Sequence, residues 1–216
     1  MSMRIKPLYA ACTAIIFSAV LLAVIIFAGG CGASKDKDEE VSSKDANIIF
    51  GSVTLGPVKN AFVKAYKLNG DGSLGSEIGN GKTNDNGEYS IALKVQHEGA
   101  MEVVATGGSY VDEATGEIVE RGDGEEIRTM LRERIREHVG INALSTMAAE
   151  QTRQNIKEGL SVALENANKN VAAMFGIPGV DFIKTKPHDL TDKSKSADED
   201  SDSSKLGLAM AAFSQI

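Results

Sequence analysis

Between Asn47 and Thr106 the chain alternates apolar and polar residues at every second position, and that period leaves little freedom in the fold. Tyr89, Ile91, Leu93 and Val95 alternate with Glu88, Ser90, Ala92 and Lys94. Ala61, Val63 and Ala65 alternate in the same way around Phe62 and Lys64, and Met101, Val103 and Ala105 make a third run. Ile49, Gly51 and Val53 give a weaker fourth. Successive side chains of a strand point to opposite faces, so each run predicts a strand with one buried face. Turn chemistry separates the runs: Gly56-Pro57, Asn69-Gly70-Asp71-Gly72, Asn84-Asp85-Asn86-Gly87 and Gly107-Gly108. Short strands joined by such turns predict an antiparallel sandwich. Tyr110-Val111 and Glu117 to Val119 predict a hairpin across Ala114-Thr115-Gly116.

Three strings within this region carry a family likeness. They are Gly51-Ser52-Val53, then Gly56-Pro57-Val58-Lys59-Asn60-Ala61-Phe62-Val63, then Thr83-Asn84-Asp85-Asn86-Gly87-Glu88-Tyr89-Ser90-Ile91. Together they resemble a carboxypeptidase regulatory-like domain, one of the transthyretin-like and collagen-adhesin B-type folds. The departure is Asn84, which stands one place before Asp85. The resemblance covers about Asn47 to Thr106 and implies a seven-stranded Greek-key β-sandwich. In that family such domains are accessory or binding modules without catalytic residues of their own.

The fold class expected is therefore mainly β with C-terminal α: a transthyretin-like sandwich over 47–141, followed by helices. Residues 125–141 fit two patterns. Ile127, Leu131, Ile135 and Val139 are spaced by four, as on a helix, while Ile127, Thr129 and Leu131 share one face of a strand. Context favours a strand. From 142 to 188 the chain reads as helical. Asn142 or Ser145 can cap a helix running through Asn155. Leu160, Ala163, Leu164, Ala167, Val171, Met174 and Phe175 share one helical face, which Gly176 and Pro178 end. Residues 189–205, rich in Ser, Asp and Lys, predict a disordered linker. Residues 206–216 predict a truncated helix whose Leu206, Leu208, Met210 and Phe213 would lie exposed as a sticky patch. The strings NALSTMAAE and ENANKNVAAMFGI also resemble helical regions that follow such sandwiches in some bacterial surface lipoproteins.

The N-terminus has its own pattern. Arg4 and Lys6 precede an apolar run from Leu8 to Gly30, and Ala28, Gly29 and Gly30 lead into Cys31. This order resembles a bacterial lipoprotein signal. The resemblance implies that residues 1–30 are removed and that Cys31 becomes a lipidated N-terminus. The alternative is an uncleaved transmembrane anchor, since the run is about the 20 residues needed to span. Under the positive-inside rule Arg4 and Lys6 put the remainder outside in either case. Residues 31–46, charged and nearly free of apolar side chains, read as a flexible tether. The expected location is the cell envelope on the non-cytoplasmic side. By the same analogy Gly32 favours the outer membrane where one exists.

Composition narrows the partners. The 216 residues carry a net charge of -7, which argues against nucleic acid. The only other cysteine, Cys12, lies in the apolar run, so the mature chain cannot form an internal disulfide. His97, His138 and His188 form neither H-E-x-x-H nor H-x-x-E, and read as solvated surface residues rather than zinc ligands. Asn69 to Ser73 and Asn84 to Glu88 resemble parts of calcium loops, but the first lacks a twelfth-position glutamate and the second has its acceptors in consecutive rather than alternate places, so both read as hairpin turns. Ser109 and Ser145 have no histidine at motif spacing, so neither is a candidate nucleophile.

No metal, cofactor or catalytic residue is therefore expected. The expected function is a membrane-anchored, non-catalytic binding or structural module. Its partners would be the membrane, through the lipid, and envelope proteins or extracellular polymer. The alternatives are an accessory to a separate envelope hydrolase and a truncated, barely functional product. Loops on a rigid frame commonly carry binding residues. The loop from Gly107 to Glu117 is thus the candidate surface, with Ser109, Tyr110, Asp112 and Glu113 as candidate ligand contacts.

Overall fold

A computed structural model describes residues 47–112, 115–190, 198 and 200–213. The predicted signal, Cys31, the tether, Glu113 and most of the predicted linker lie outside the described residues. Among the described residues no helix is long and apolar enough to cross a membrane.

The strands follow the alternation. They are β1 (Ile48–Thr54), β2 (Phe62–Leu68), β3 (Leu74–Lys82), β4 (Glu88–Ala92) and β5 (Met101–Thr106). β6 (Ser109–Val111) and β7 (Ile118–Glu120) come next, then β8 (Glu126–Leu131) and β9 (Val139–Asn142). One sheet has the order β4-β1-β9 and a second β3-β2-β5-β8, while β6 and β7 form a separate hairpin. Neighbours are antiparallel except β1 and β9, which run parallel. Ala61, Val63, Ala65, Met101, Val103, Ala105, Ile49, Val53, Tyr89 and Ile91 are all buried in one cluster drawn from both main sheets. The molecule is mainly β, with its helices toward the C-terminus.

Several expectations change in detail. Val95 is 46% exposed rather than inward, because β4 ends at Ala92 and the chain leaves the sheet. The ambiguous stretch 125–141 forms two strands, β8 and β9, in different sheets. Between them the chain crosses from one layer to the other, which a single periodic element cannot do.

The helices are α1 (Ala143–Gln154), α2 (Leu160–Met174) and α3 (Asp202–Phe213). Asn142 caps α1: its side chain accepts from Ser145 N at 2.9 Å, and Ser145 Oγ accepts from Asn142 N at 2.9 Å. This reciprocal pairing satisfies donors that a helix start leaves open. α2 buries Ala163, Leu164, Ala167 and Val171 as its periodicity predicts, but Met174 at its end is exposed. Met130 of β8 and Leu68 of β2 form a second small cluster with Ala149 and Leu164. The outer face of the four-stranded sheet is thus covered by α1 and α2.

Under that cover lies a charged residue. Glu102 of β5 has a fully buried side chain, and its carboxylate receives Arg153 of α1 at 2.7 and 2.5 Å, with Arg128 of β8 at 3.7 Å. Burial pushes its carboxyl pKa up, against the opposing pull of the two guanidiniums.

The C-terminal part departs most from expectation. Residues 202–205, placed in the linker from sequence, form the first turn of α3. Leu206 is fully buried and Met210 nearly so, while Leu208, 55% exposed, stays at the surface. The sticky patch is therefore corrected for these residues, since α3 packs on the segment before it. A side chain at Gly207 would come within 2.6 Å of His188 O, so only glycine allows this approach. His188 N donates to Ser203 O at 2.9 Å, and Ser203 Oγ donates to Lys186 O at 2.7 Å.

Candidate functional site

The residues that close the sandwich also build a cleft at one end of it. β1 and β4 are antiparallel, with Ser52 opposite Glu88. The end of β1 and the start of β4 therefore meet, and each carries a turn. After β1, Thr54 bridges to Pro57 and Val58 N donates to Val53 O at 3.0 Å, which leaves Lys59 at the rim. Before β4, Asn84 Oδ1 accepts from the backbone N of Asn86 and of Glu88, each at 2.9 Å. This side chain closes the turn that presents Asp85. Gly87 adopts a φ of 73°, and a side chain there would come within 2.7 Å of Val53 O. The glycine of the T-x-x-x-G-x-Y string thus lets the two turns lie against each other.

A third wall comes from the segment after α2. Gly140 N donates to Ile183 O at 2.6 Å, and Asn142 Nδ2 donates to Phe182 O at 3.0 Å. These bonds lay residues 182–183 beside β9. Lys186 then reaches Glu88 at 2.6 Å, and this bond, followed by Asn84, holds the Glu88 carboxyl below the usual range. The cleft enclosed by the two turns, this segment and α3 has a volume of about 450 Å³.

Beneath it lies a hydroxyl–imidazole pair. Ser52 Oγ is 2.9 Å from His138 Nε2 and 3.4 Å from Thr54 Oγ1. Ser52 is 2% exposed and His138 half-buried. The expectation that His138 is solvated is corrected, since residues 183–186 cover it. Burial is the main cause that lowers the His138 pKa, and the nearby charge of Lys186 lowers it further, while carbonyls of Lys184 and Ile183 and the Glu88 charge oppose this.

A pH dependence follows from that shift. A histidine with a depressed folded-state pKa resists protonation in the fold but accepts it readily when unfolded. Its contribution to stability is complete above the ordinary value of 6.5 and is lost as pH falls through the depressed value. Urea melts are expected to show wild type losing stability as pH falls below about 6.5, and His138→Gln losing less over the same range. Parallel pH profiles in the two proteins would contradict the assignment.

The loop chosen from sequence plays a smaller part. Ser109 pairs its backbone with Lys59, with N–O distances of 2.7 and 3.0 Å. Tyr110 is half-buried against the core, and Asp112 accepts from Thr115 N and Oγ1 at 2.8 and 3.0 Å. The hairpin itself forms as predicted, pairing Tyr110 with Val119. Among its described residues only Val111 lines the cleft. Sequence reasoning missed Lys59, Asp85 and Lys186. The signal for the first two is their position in turns that an antiparallel β1–β4 pair brings to one end. Among the described residues no group of three His, Cys, Asp or Glu side chains is placed to hold a metal ion.

No protein-family model matches the chain, and no curated protein matches it. Among solved structures, a 9R-lipoxygenase from Cyanothece PCC8801 is similar over 59% of this chain and 24% of its own, at 13% identity and a TM-score of 0.30. The chain thus spans about a quarter of that protein, and a likeness this slight carries no argument about fold or activity.

Proposed function

We propose that this chain is an exported, membrane-anchored binding module of the cell envelope, non-catalytic and built on a transthyretin-like Greek-key sandwich. Seven strands in sheets of three and four support that fold reading. Cys31 is the lipid attachment site, 1–30 the removed signal and 31–46 the tether. The module works on the non-cytoplasmic side, at the outer membrane where one exists. Its partners are envelope proteins or extracellular polymer.

The observation that carries this reading is the direction of β1. The tether joins the sandwich at Asn47, and the cleft sits beyond Thr54, at the other end of a seven-residue strand. At about 3.3 Å per residue, that strand sets the cleft about 20 Å from the attachment point. A cleft at the end of the sandwich remote from the tether is left open to partners. Binding rather than catalysis suits the Ser52–His138 pair, because the serine is buried and serves to hold the histidine.

Lys59→Cys tests the exported location. Lipidation consumes the Cys31 thiol, so the substituted chain has one reactive thiol, at the cleft rim. A membrane-impermeant maleimide is expected to label Lys59→Cys in intact or outer-membrane-permeabilised cells, and wild type not at all. Labelling that appears only after the inner membrane is lysed would overturn the reading.

A further inference from the structure

We propose that the cleft binds a short peptide with free termini, its carboxylate at Lys59 and its ammonium at Asp85. This deepens the binding-module reading and rests on it.

The charged side chains of the cleft are Lys59, Asp85, Glu88, Lys186 and Asp189, and Asp189 has an interaction of its own. Glu88 and Lys186 neutralise each other at 2.6 Å. Lys59 and Asp85 are both exposed, and neither has a hydrogen bond or ion pair from its side chain among the described residues. Two opposite charges therefore remain unspent on the rim of one concavity. A ligand carrying one charge would satisfy only one of them. A zwitterion satisfies both, and complementary placement of charge discriminates against partners that lack either end.

The walls suit a peptide between those ends. Pro57, Val111, Pro187 and Met210 supply apolar surface, and Thr54 and Asn86 supply hydrogen-bonding groups. Small-molecule sites have this mixture, an apolar lining with a few polar groups that fix orientation. The volume of about 450 Å³ lies in the usual range for such sites, roughly 300–1,000 Å³. Sugar recognition commonly uses a flat aromatic wall. The chain has no Trp, and no Tyr or Phe among the described residues lines this cleft. The same absence of a stacking surface disfavours a nucleobase.

The experiment is calorimetric titration of the full-length lipidated protein in nanodiscs. Three probes are used: the tripeptide Ala-Val-Ala with free ends, the same tripeptide acetylated and amidated, and triacetylchitotriose. The free tripeptide is expected to bind, and capping both ends to weaken it at least tenfold. Lys59→Gln and Asp85→Asn are each expected to weaken the free peptide about tenfold, or about 1.4 kcal/mol, with melting temperatures unchanged. Their side chains are exposed and unbonded, so loss of fold does not confuse the result.

Equal binding of capped and free peptide would overturn the proposal, as would no peptide binding. Chitotriose binding in place of peptide would overturn the ligand class and leave the binding module standing. The labelling of Lys59→Cys tests the module separately, so the two failures can be told apart.

Discussion

Gly51→Ala is expected to destabilise the protein by about 4 kcal/mol, enough to unfold much of it at growth temperature. Gly51 lies on β1 between two strands, opposite Tyr89 of β4 and Val139 of β9. A methyl group there would overlap the carbonyl oxygen of Val139 and lie 2.6 Å from its carbonyl carbon. The obstacle is backbone, which no rotamer change can relieve. The same oxygen accepts the buried Tyr89 hydroxyl at 2.9 Å, so any retreat of β9 also strands that donor. The loss would fall on the β1–β9 pairing, the one parallel contact that ties the C-terminal part to the N-terminal strand. Gly70→Ala is the control, since nothing lies within 4 Å of a side chain there. It is expected to stay within about 0.5 kcal/mol of wild type. Urea denaturation of the two variants checks this, and a Gly51→Ala midpoint matching wild type would contradict the packing described for β1.

Arg153→Met is expected to cost about 3 kcal/mol, while the double variant Glu102→Leu/Arg153→Met is expected to recover most of that loss. Glu102 sits on the outer face of the four-stranded sheet, beneath α1, with no solvent contact for its side chain. Removing Arg153 leaves a buried carboxylate facing only Arg128, whose guanidinium is also shared with Glu126 and Glu150. An uncompensated buried charge is costly. A well-packed apolar replacement of both partners avoids the desolvation of each. Thermal melts of the single and double variants separate these terms. A double variant no more stable than Arg153→Met would mean that the ion pair contributes net stability, against this account.

The strands were legible where one face alternates cleanly. Ala61, Val63, Ala65, Met101, Val103 and Ala105 all point inward as their spacing predicts. β3 was not legible. Its inward positions include Gly79 and Gly81, whose missing side chains make room for Ile91, and glycine carries no hydrophobic signal. The cap of α1 was readable because Asn142 and Ser145 are three residues apart and bond each other. Residues 125–141 stayed ambiguous because a four-residue spacing of Ile and Leu fits both structures. Only pairing with β5 and β1, remote in sequence, decides it.

The cleft was hidden for the same reason. Lys59, Asp85 and Lys186 belong to three separate segments, and no local pattern joins them. They meet because β1 pairs with β4 and because Gly140 and Asn142 hold residues 182–183 beside β9. The predicted loop at 107–117 reaches the cleft through Val111. Asp112 spends its carboxylate within its own hairpin.

The proposed anchor at Cys31 is the premise of the exported, membrane-held module, and intact mass of the membrane-extracted protein tests it directly. The account expects a wild-type mass beginning at Cys31 with acyl chains attached, and loss of that species in Cys31→Ala. An unmodified full-length mass in both proteins would contradict it.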